Sequence, residues 1–188
     1  MIEYYEPFFK LNLPAPEIKI GDSAWIKYNP RKDVNRWGVS LTSLDGETTG
    51  VPDLDSLYEY NKLNSTKFSE SDFKTPTKYF STFHFLSEKF DLGRSHILKL
   101  GVGGFFPYHR DFDTKTFRLV YTVSGCEPEN LVWIQNNNVL KLENHSWYYV
   151  NTKMVHSVFS FFGCQFAVFN VIASEKSLVS LAENTSIK

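Results

Sequence analysis

Cysteine is nearly missing from this chain. Cys126 and Cys164 are the only two in 188 residues, and they do not form a CxxC pair. That rules out a disulfide-stapled scaffold and fits a reducing cytosol. Long apolar runs are missing as well. Nothing approaches the ~18 consecutive apolar residues of a membrane-spanning helix. The opening MIEYYEPFFKLNLPAPEIKI carries early acidic residues and no apolar stretch of signal-peptide type. An excess of one charge is also lacking: 20 Lys and Arg stand against 21 Asp and Glu, a formal net charge of -1. Nucleic-acid binding needs a basic face, so composition offers it no support. The expectation is a cytoplasmic protein with a small-molecule or peptide partner, no nucleic acid and no membrane. Aromatics are plentiful at 16%, with 17 Phe, 10 Tyr and 4 Trp, and only 22% of residues are charged. Such a chain is not disordered, and its length suits one domain over 1–188 with a sizeable core.

The chain divides by pattern. Residues 1–92 read as an N-terminal region. An extended arm with Pro7, Pro14 and Pro16 comes first, followed by short strands near Ala24–Tyr28 and Arg36–Thr42. A polar surface excursion over 43–78 then includes a short helix near Asp53–Tyr60, and a further helix is expected within Pro76–Phe90. From Gly93 onward short β-rich runs follow one another, with turn signals roughly every 8 to 12 residues, the mark of a β-barrel or sandwich. Asn136-Asn137-Asn138 marks a hairpin, because asparagine tolerates positive φ. Residues 93–173 are therefore expected to form a jelly-roll core, and 174–188 a short helix or tail. The predicted fold class is mainly β: a double-stranded β-helix, cupin-like, with a few peripheral helices, mostly N-terminal.

Chemistry concentrates in that core. His109 and Asp111 are separated by one residue, so on a strand they point to the same side. His156, in Met154-Val155-His156-Ser157-Val158, lies on a late strand that a jelly roll brings near the early one. Two histidines and one carboxylate, with remaining positions open, form the facial set of non-haem Fe(II) oxygenases. Asp113 shares the strand parity and is a rival to Asp111. Arg118, set among Phe117, Leu119 and Val120, is expected to be partly buried with an anionic partner.

Residues 93–173 resemble the Fe(II)- and 2-oxoglutarate-dependent oxygenases, in particular the aspartyl/asparaginyl β-hydroxylase-like branch. The residues that carry the resemblance are Gly103-Gly104-Phe105-Phe106-Pro107-Tyr108-His109-Arg110-Asp111, then Phe117-Arg118-Leu119, and later His156-Ser157-Val158. The resemblance implies Fe(II) held by His109, Asp111 and His156, with 2-oxoglutarate as cosubstrate and Arg118 pairing with one of its carboxylates. It further implies hydroxylation of an amino-acid-like small molecule or of a peptide or protein side chain. One departure stands out. The branch places a second basic residue about ten positions after the distal histidine, where this chain reads Phe161-Phe162-Gly163-Cys164-Gln165-Phe166-Ala167. Gln165, Lys99 and Thr122 are the candidates to replace it. Arg36 and Trp37 are candidate substrate contacts.

Other polar and aromatic residues have plainer readings. His84, His96 and His145 are expected to be structural or exposed, with His96 facing solvent. Phe159, Phe161, Phe162, Phe166 and Phe169 are expected in the core. Two other functions remain open: a metal-free jelly-roll binding module, and a cupin-like metalloenzyme that does not use 2-oxoglutarate.

Overall fold

The structure, a computed structural model, describes residues 8–30, 32–111 and 115–185. Eight consecutive strands build its centre: β6 (Leu92–Leu100), β7 (Phe105–His109), β8 (Thr116–Ser124), β9 (Leu131–Gln135), β10 (Asn138–Leu140), β11 (Trp147–Val150), β12 (His156–Ser160) and β13 (Cys164–Ile172). Strands β6, β13, β8 and β11 lie side by side in one sheet, and β7, β12, β9 and β10 in the other. Apart from the β9–β10 hairpin, every step along the chain crosses between the sheets. That order defines a double-stranded β-helix. The hairpin turns through Asn136 (φ 47°) and Asn137 (φ 64°), two left-handed residues in a row. This is the arrangement that matches the right-handed twist of two antiparallel strands.

The larger sheet is extended at both ends by the N-terminal region. β1 (Phe8–Leu11) adds beside β11, while β3 (Arg36–Ser40) and then β2 (Ile26–Lys27) add beside β6. Within the expected arm, Phe8–Leu11 is thus an edge strand. Phe9 stacks on Tyr149 at 4.6 Å between centroids, and the Pro14 carbonyl accepts the Trp147 indole N–H at 2.7 Å.

Side-chain parity sorts the core into two halves. On β8, Phe117, Leu119, Tyr121 and Val123 face a layer outside the barrel with Phe83, Trp147, Phe169 and Leu181. Val120 faces the barrel interior with Leu98, Leu100, Trp133, Val158 and Phe166. Both faces of the larger sheet are therefore covered, and β8 is buried along nearly its whole length. The smaller sheet shows its outer face to water. That explains a miss: Val158 and Ser160 point inward, so Phe159 does not, and Phe159, Phe161 and Phe162 are exposed at 38%, 46% and 78%. Phe166 and Phe169 are buried as expected.

Helices are few: α1 (Leu57–Asn64), α2 (His84–Lys89) and α3 (Glu175–Glu183), with the longest at the C-terminal end and not in the N-terminal region. α1 begins four residues later than the expected start at Asp53, because Ser56 caps it by accepting the Glu59 N–H. Asp53, Leu54 and Asp55 instead form a buried turn. The 43–78 segment runs over the surface, with Tyr58 and Leu63 exposed at 78% and 67%, but it is anchored by Leu54 and Phe73, which are fully buried. Gly93 lets it dock. A Cβ there would meet the Glu70 carbonyl oxygen at 2.5 Å, so only glycine allows the 70–72 turn to lie against β6.

Asp53 gives this docked turn a pH dependence. Burial pushes its carboxyl up to about 6, against a bond from the Ser40 hydroxyl at 2.9 Å that favours the anion. The folded pKa then exceeds the unfolded ~3.9, so the folded state holds the proton more tightly between about pH 4 and 6. Stability falls as pH rises through that window. Asp53→Asn should therefore be more stable than the parent at pH 7.5 by on the order of 1–2 kcal/mol. Urea unfolding should show the two converging near pH 4, and equal stability at both pH values would refute this.

Candidate metal centre

β7 ends on His109 and β12 begins on His156, and the two are directly paired across the smaller sheet. Their rings lie 4.2 Å apart between centroids. The strand ends at this rim, and the chain swings so that the Asp111 N–H donates to the Thr152 carbonyl at 2.8 Å. This brings the Asp111 Oδ1 to 3.7 Å from His109 Nε2. One ligand atom from each of His109, Asp111 and His156 lies within 4.8 Å of the others. Asp113, the rival carboxylate, lies outside the described residues.

The backbone sets the imidazole tautomers. His109 Nδ1 stands 2.6 Å from the Pro107 carbonyl, and His156 Nδ1 stands 3.1 Å from the Met154 carbonyl. A carbonyl only accepts, so each Nδ1 carries the hydrogen and each Nε2 keeps its lone pair for a metal. The Asp111 Oδ2 is held by Arg118 at 2.9 Å, which leaves Oδ1 as the ligand atom. Burial pushes the Asp111 carboxyl up, but the Arg118 guanidinium, Thr152 and the two imidazoles outweigh it, and its pKa lies below the ordinary value. Burial also lowers the His156 imidazole, helped by His109. An ionised carboxylate beside a neutral imidazole is the state in which such groups bind metal. The three residues can hold a metal ion.

Behind them, between the sheets, is a cavity of about 130 Å³. Its polar wall comes from inward-facing residues of β6, β8 and β13: Arg94, His96, Arg118 and Asn170. Leu98, Val120, Trp133, Val158 and Phe166 are among its apolar lining. Arg94 is clamped by Glu70, with Nε to Oε2 at 2.7 Å and Nη2 to Oε1 at 2.8 Å. It also donates Nη1 to the Asp53 and Asp55 carbonyls at 3.3 and 2.8 Å.

Parity decides the fate of the other candidates. Arg118 lines the cavity. Gln165 and Lys99 are paired with each other and, one residue out of phase with Phe166 and Leu98, face the other side of the sheet. Lys99 lies over the Trp25 ring there, at 5.5 Å, and Trp37, its partner on β3, is on that side too. Thr122 has the parity of Arg118 but sits further along β8, and it donates its hydroxyl to the Glu143 and Ser146 carbonyls. None of Gln165, Lys99, Thr122 and Trp37 lines the cavity. Arg36 does not line it either but reaches an adjoining one.

Sequence reasoning missed Arg94, Glu70, His96 and Asn170. His96 is buried, not solvent-facing, and burial and the two nearby arginines hold its imidazole well below the ordinary pKa. Its shared parity with Leu98 and Leu100 was a usable signal. Glu70 had none, since only docking against Gly93 brings it near β6.

No known family profile matches the sequence, and no curated protein does. Solved structures do overlap with it. A predicted oxalate decarboxylase from Thermotoga maritima shares 14% identity over 47% of this chain and 71% of its own, with a TM-score of 0.36. An RmlC-like cupin protein from Desulfovibrio desulfuricans shares 10% over 42% and 70%, with a TM-score of 0.35. The polyketide cyclase RemF from Streptomyces resistomycificus shares 12% over 47% and 72%, with a TM-score of 0.34. Overlap at this level adds nothing to what the strand order already establishes.

Proposed function

We propose that this chain is a non-haem Fe(II)- and 2-oxoglutarate-dependent oxygenase that hydroxylates an amino-acid-like small molecule or a peptide side chain. The observation that carries this reading is the charge balance behind the triad. The cavity wall holds Arg94 and Arg118 against Glu70 and Asp111, an even count. A divalent cation on the triad leaves two positive charges in a largely apolar chamber. Burying them unmet is costly, and a dianion such as 2-oxoglutarate restores neutrality.

When bound, Fe(II) would supply the redox chemistry that couples loss of CO2 from 2-oxoglutarate, giving succinate, to insertion of one O2 oxygen into a substrate C–H bond. The residues have separate tasks. His109, Asp111 and His156 would hold the metal. Arg118 holds the ligating carboxylate by Nη2, sets Nη1 3.4 Å from the Thr116 hydroxyl, and lines the chamber, where its guanidinium can meet a carboxylate. Trp133, Val158 and Phe166 keep water out, which strengthens every charge interaction inside.

A second reading, a metalloenzyme of this fold that does not use 2-oxoglutarate, draws on two observations. Both wall arginines already have carboxylate partners, and the inward residue ten positions after His156 is apolar Phe166. Anaerobic titration with Fe(II) and then 2-oxoglutarate separates the two. A saturable visible metal-to-ligand charge-transfer band is expected, with Arg118→Gln raising the half-saturating 2-oxoglutarate concentration about 100-fold. Tight iron binding with no band would discard 2-oxoglutarate and leave the second reading.

A further inference from the structure

A second cavity, of about 160 Å³, adjoins the first and shares Tyr28, Arg94, Phe106 and His109 with it. Its own walls add Arg36, Asn29 and Asp55. Arg36 is 4% exposed and Asn29 5%. The Arg36 guanidinium lies 4.3 Å from the Phe106 ring centroid and 5.5 Å from that of Tyr28. Its Nε has no hydrogen-bond partner, and no carboxylate among the described residues forms an ion pair with it. Asn29 Oδ1 has no partner either. Asn29 is fixed in the left-handed region at φ 51°, with its backbone N–H on the Leu54 carbonyl at 2.8 Å. One small chamber therefore holds a cationic donor and a neutral acceptor, both buried and unmet. Proteins seldom bury such groups without partners. Asp55 also lines this cavity, and its Oδ1 accepts the Ser56 N–H at 2.8 Å.

We propose that this second cavity is the substrate subsite and reads the zwitterion of a free α-amino acid. The α-carboxylate pairs with Arg36, while the α-ammonium donates to Asn29 Oδ1. A planar guanidinium backed by aromatic rings suits a carboxylate, and an unmet amide oxygen can accept from an ammonium. Because His109 belongs to both cavities, an amino acid held this way has its side chain beside the metal ligands. This identification of the cavity as the substrate side rests on the oxygenase reading; the binding itself does not.

The test is calorimetric titration of the full chain, metal-stripped and Mn(II)-loaded, with each proteinogenic L-amino acid and with its N-acetyl and C-amide forms. At least one free amino acid should bind, with either block weakening it about 100-fold, because each leaves a buried polar group unmet. Arg36→Gln should abolish binding, and Arg36→Lys should restore part of it. Asn29→Leu should cost about tenfold. No binding by any free amino acid up to about 10 mM, or equal binding of blocked and free forms, would overturn the proposal. The ligand-side comparison stands even if an Arg36 variant fails to fold. A charge-transfer band with 2-oxoglutarate in a sample that ignores amino acids would remove this subsite alone. Amino-acid binding without the band would remove the oxygenase reading alone.

Discussion

Asp111→Ala should lose metal binding altogether while the jelly roll survives. The carboxylate is the sole anionic donor of the set, and its other oxygen is tied to Arg118 at 2.9 Å. Removing a group that merely supports a ligand costs about 10–100-fold in metal affinity, so removing the charged ligand itself should cost more than about 100-fold. His109→Ala and His156→Ala should have the same effect, since two donors do not make a facial site. The variants should differ in metal-free stability. The depressed pKa of Asp111 means the folded state favours its ionised form, a stabilisation present above the unfolded value and lost as pH falls through the folded one. Asp111→Ala lacks that contribution at neutral pH and leaves Arg118, whose side chain is 10% exposed, without its carboxylate. His156→Ala keeps the Asp111–Arg118 pair. Calorimetry with Fe(II) or Mn(II), together with thermal melts, reads both effects. Added metal should raise the parent's melting temperature and leave the variants unmoved. An Asp111→Ala protein that binds metal as the parent does would remove Asp111 from the site.

Arg94→Met should be the most destabilising single change at the chamber, by roughly 3–5 kcal/mol. Arg94 makes every one of its polar contacts inside the protein: two to Glu70 and two to the carbonyls of Asp53 and Asp55. Methionine fills similar space but strands the Glu70 carboxylate, whose side chain is only 13% exposed. Asn170 Nδ2 still donates to Glu70 Oε2 at 2.7 Å, which offsets part of the loss but brings no positive charge. Glu70→Leu alone should cost a comparable amount, by stranding the guanidinium. The pair Arg94→Met with Glu70→Leu should recover much of the deficit, because two apolar groups leave neither charge behind. Urea unfolding of the four proteins completes the cycle. Strict additivity of the two single changes would show that the ion pair is not what holds the 70–72 turn to β6. Metal affinity gives an independent check, since Arg94 touches no ligand and the double variant should still bind Mn(II) at the triad.

Much of the metal centre was legible because its signals are local. His109 and Asp111 announce themselves by a spacing of two on a strand, and His156 sits in a strand-rich half whose turn residues could be counted. The Asn136–Asn137 hairpin was legible for the same reason, since a left-handed pair asks for asparagine. Strand parity was harder to read. The larger sheet is buried on both faces, so its strands show no alternation between apolar and polar residues. Gln165 and Lys99 therefore looked available to the chamber although they face the layer outside it, while His96 looked solvent-exposed although it faces in. The position of α1 failed differently: Ser56 outcompeted the acidic residues before it as a cap, and those residues were drawn into the buried turn.

The sequence by itself determined the class of fold, the order of strands and three side chains able to hold a metal, because each follows from short-range spacing and turn chemistry. Only the tertiary structure decided what surrounds those three side chains. Glu70 meets Arg94 because Gly93 has no Cβ to keep the 70–72 turn off β6. Arg118 meets Asp111 because the Asp111 N–H is held on the Thr152 carbonyl, just past Val150, the partner of Arg118 on β11. Arg36 and Asn29 share a chamber because β2 pairs with β3, with the Tyr28 N–H on the Arg36 carbonyl, and β3 in turn lies beside β6. The Glu70–Arg94 pairing spans 24 residues, and no local pattern in either segment announces it.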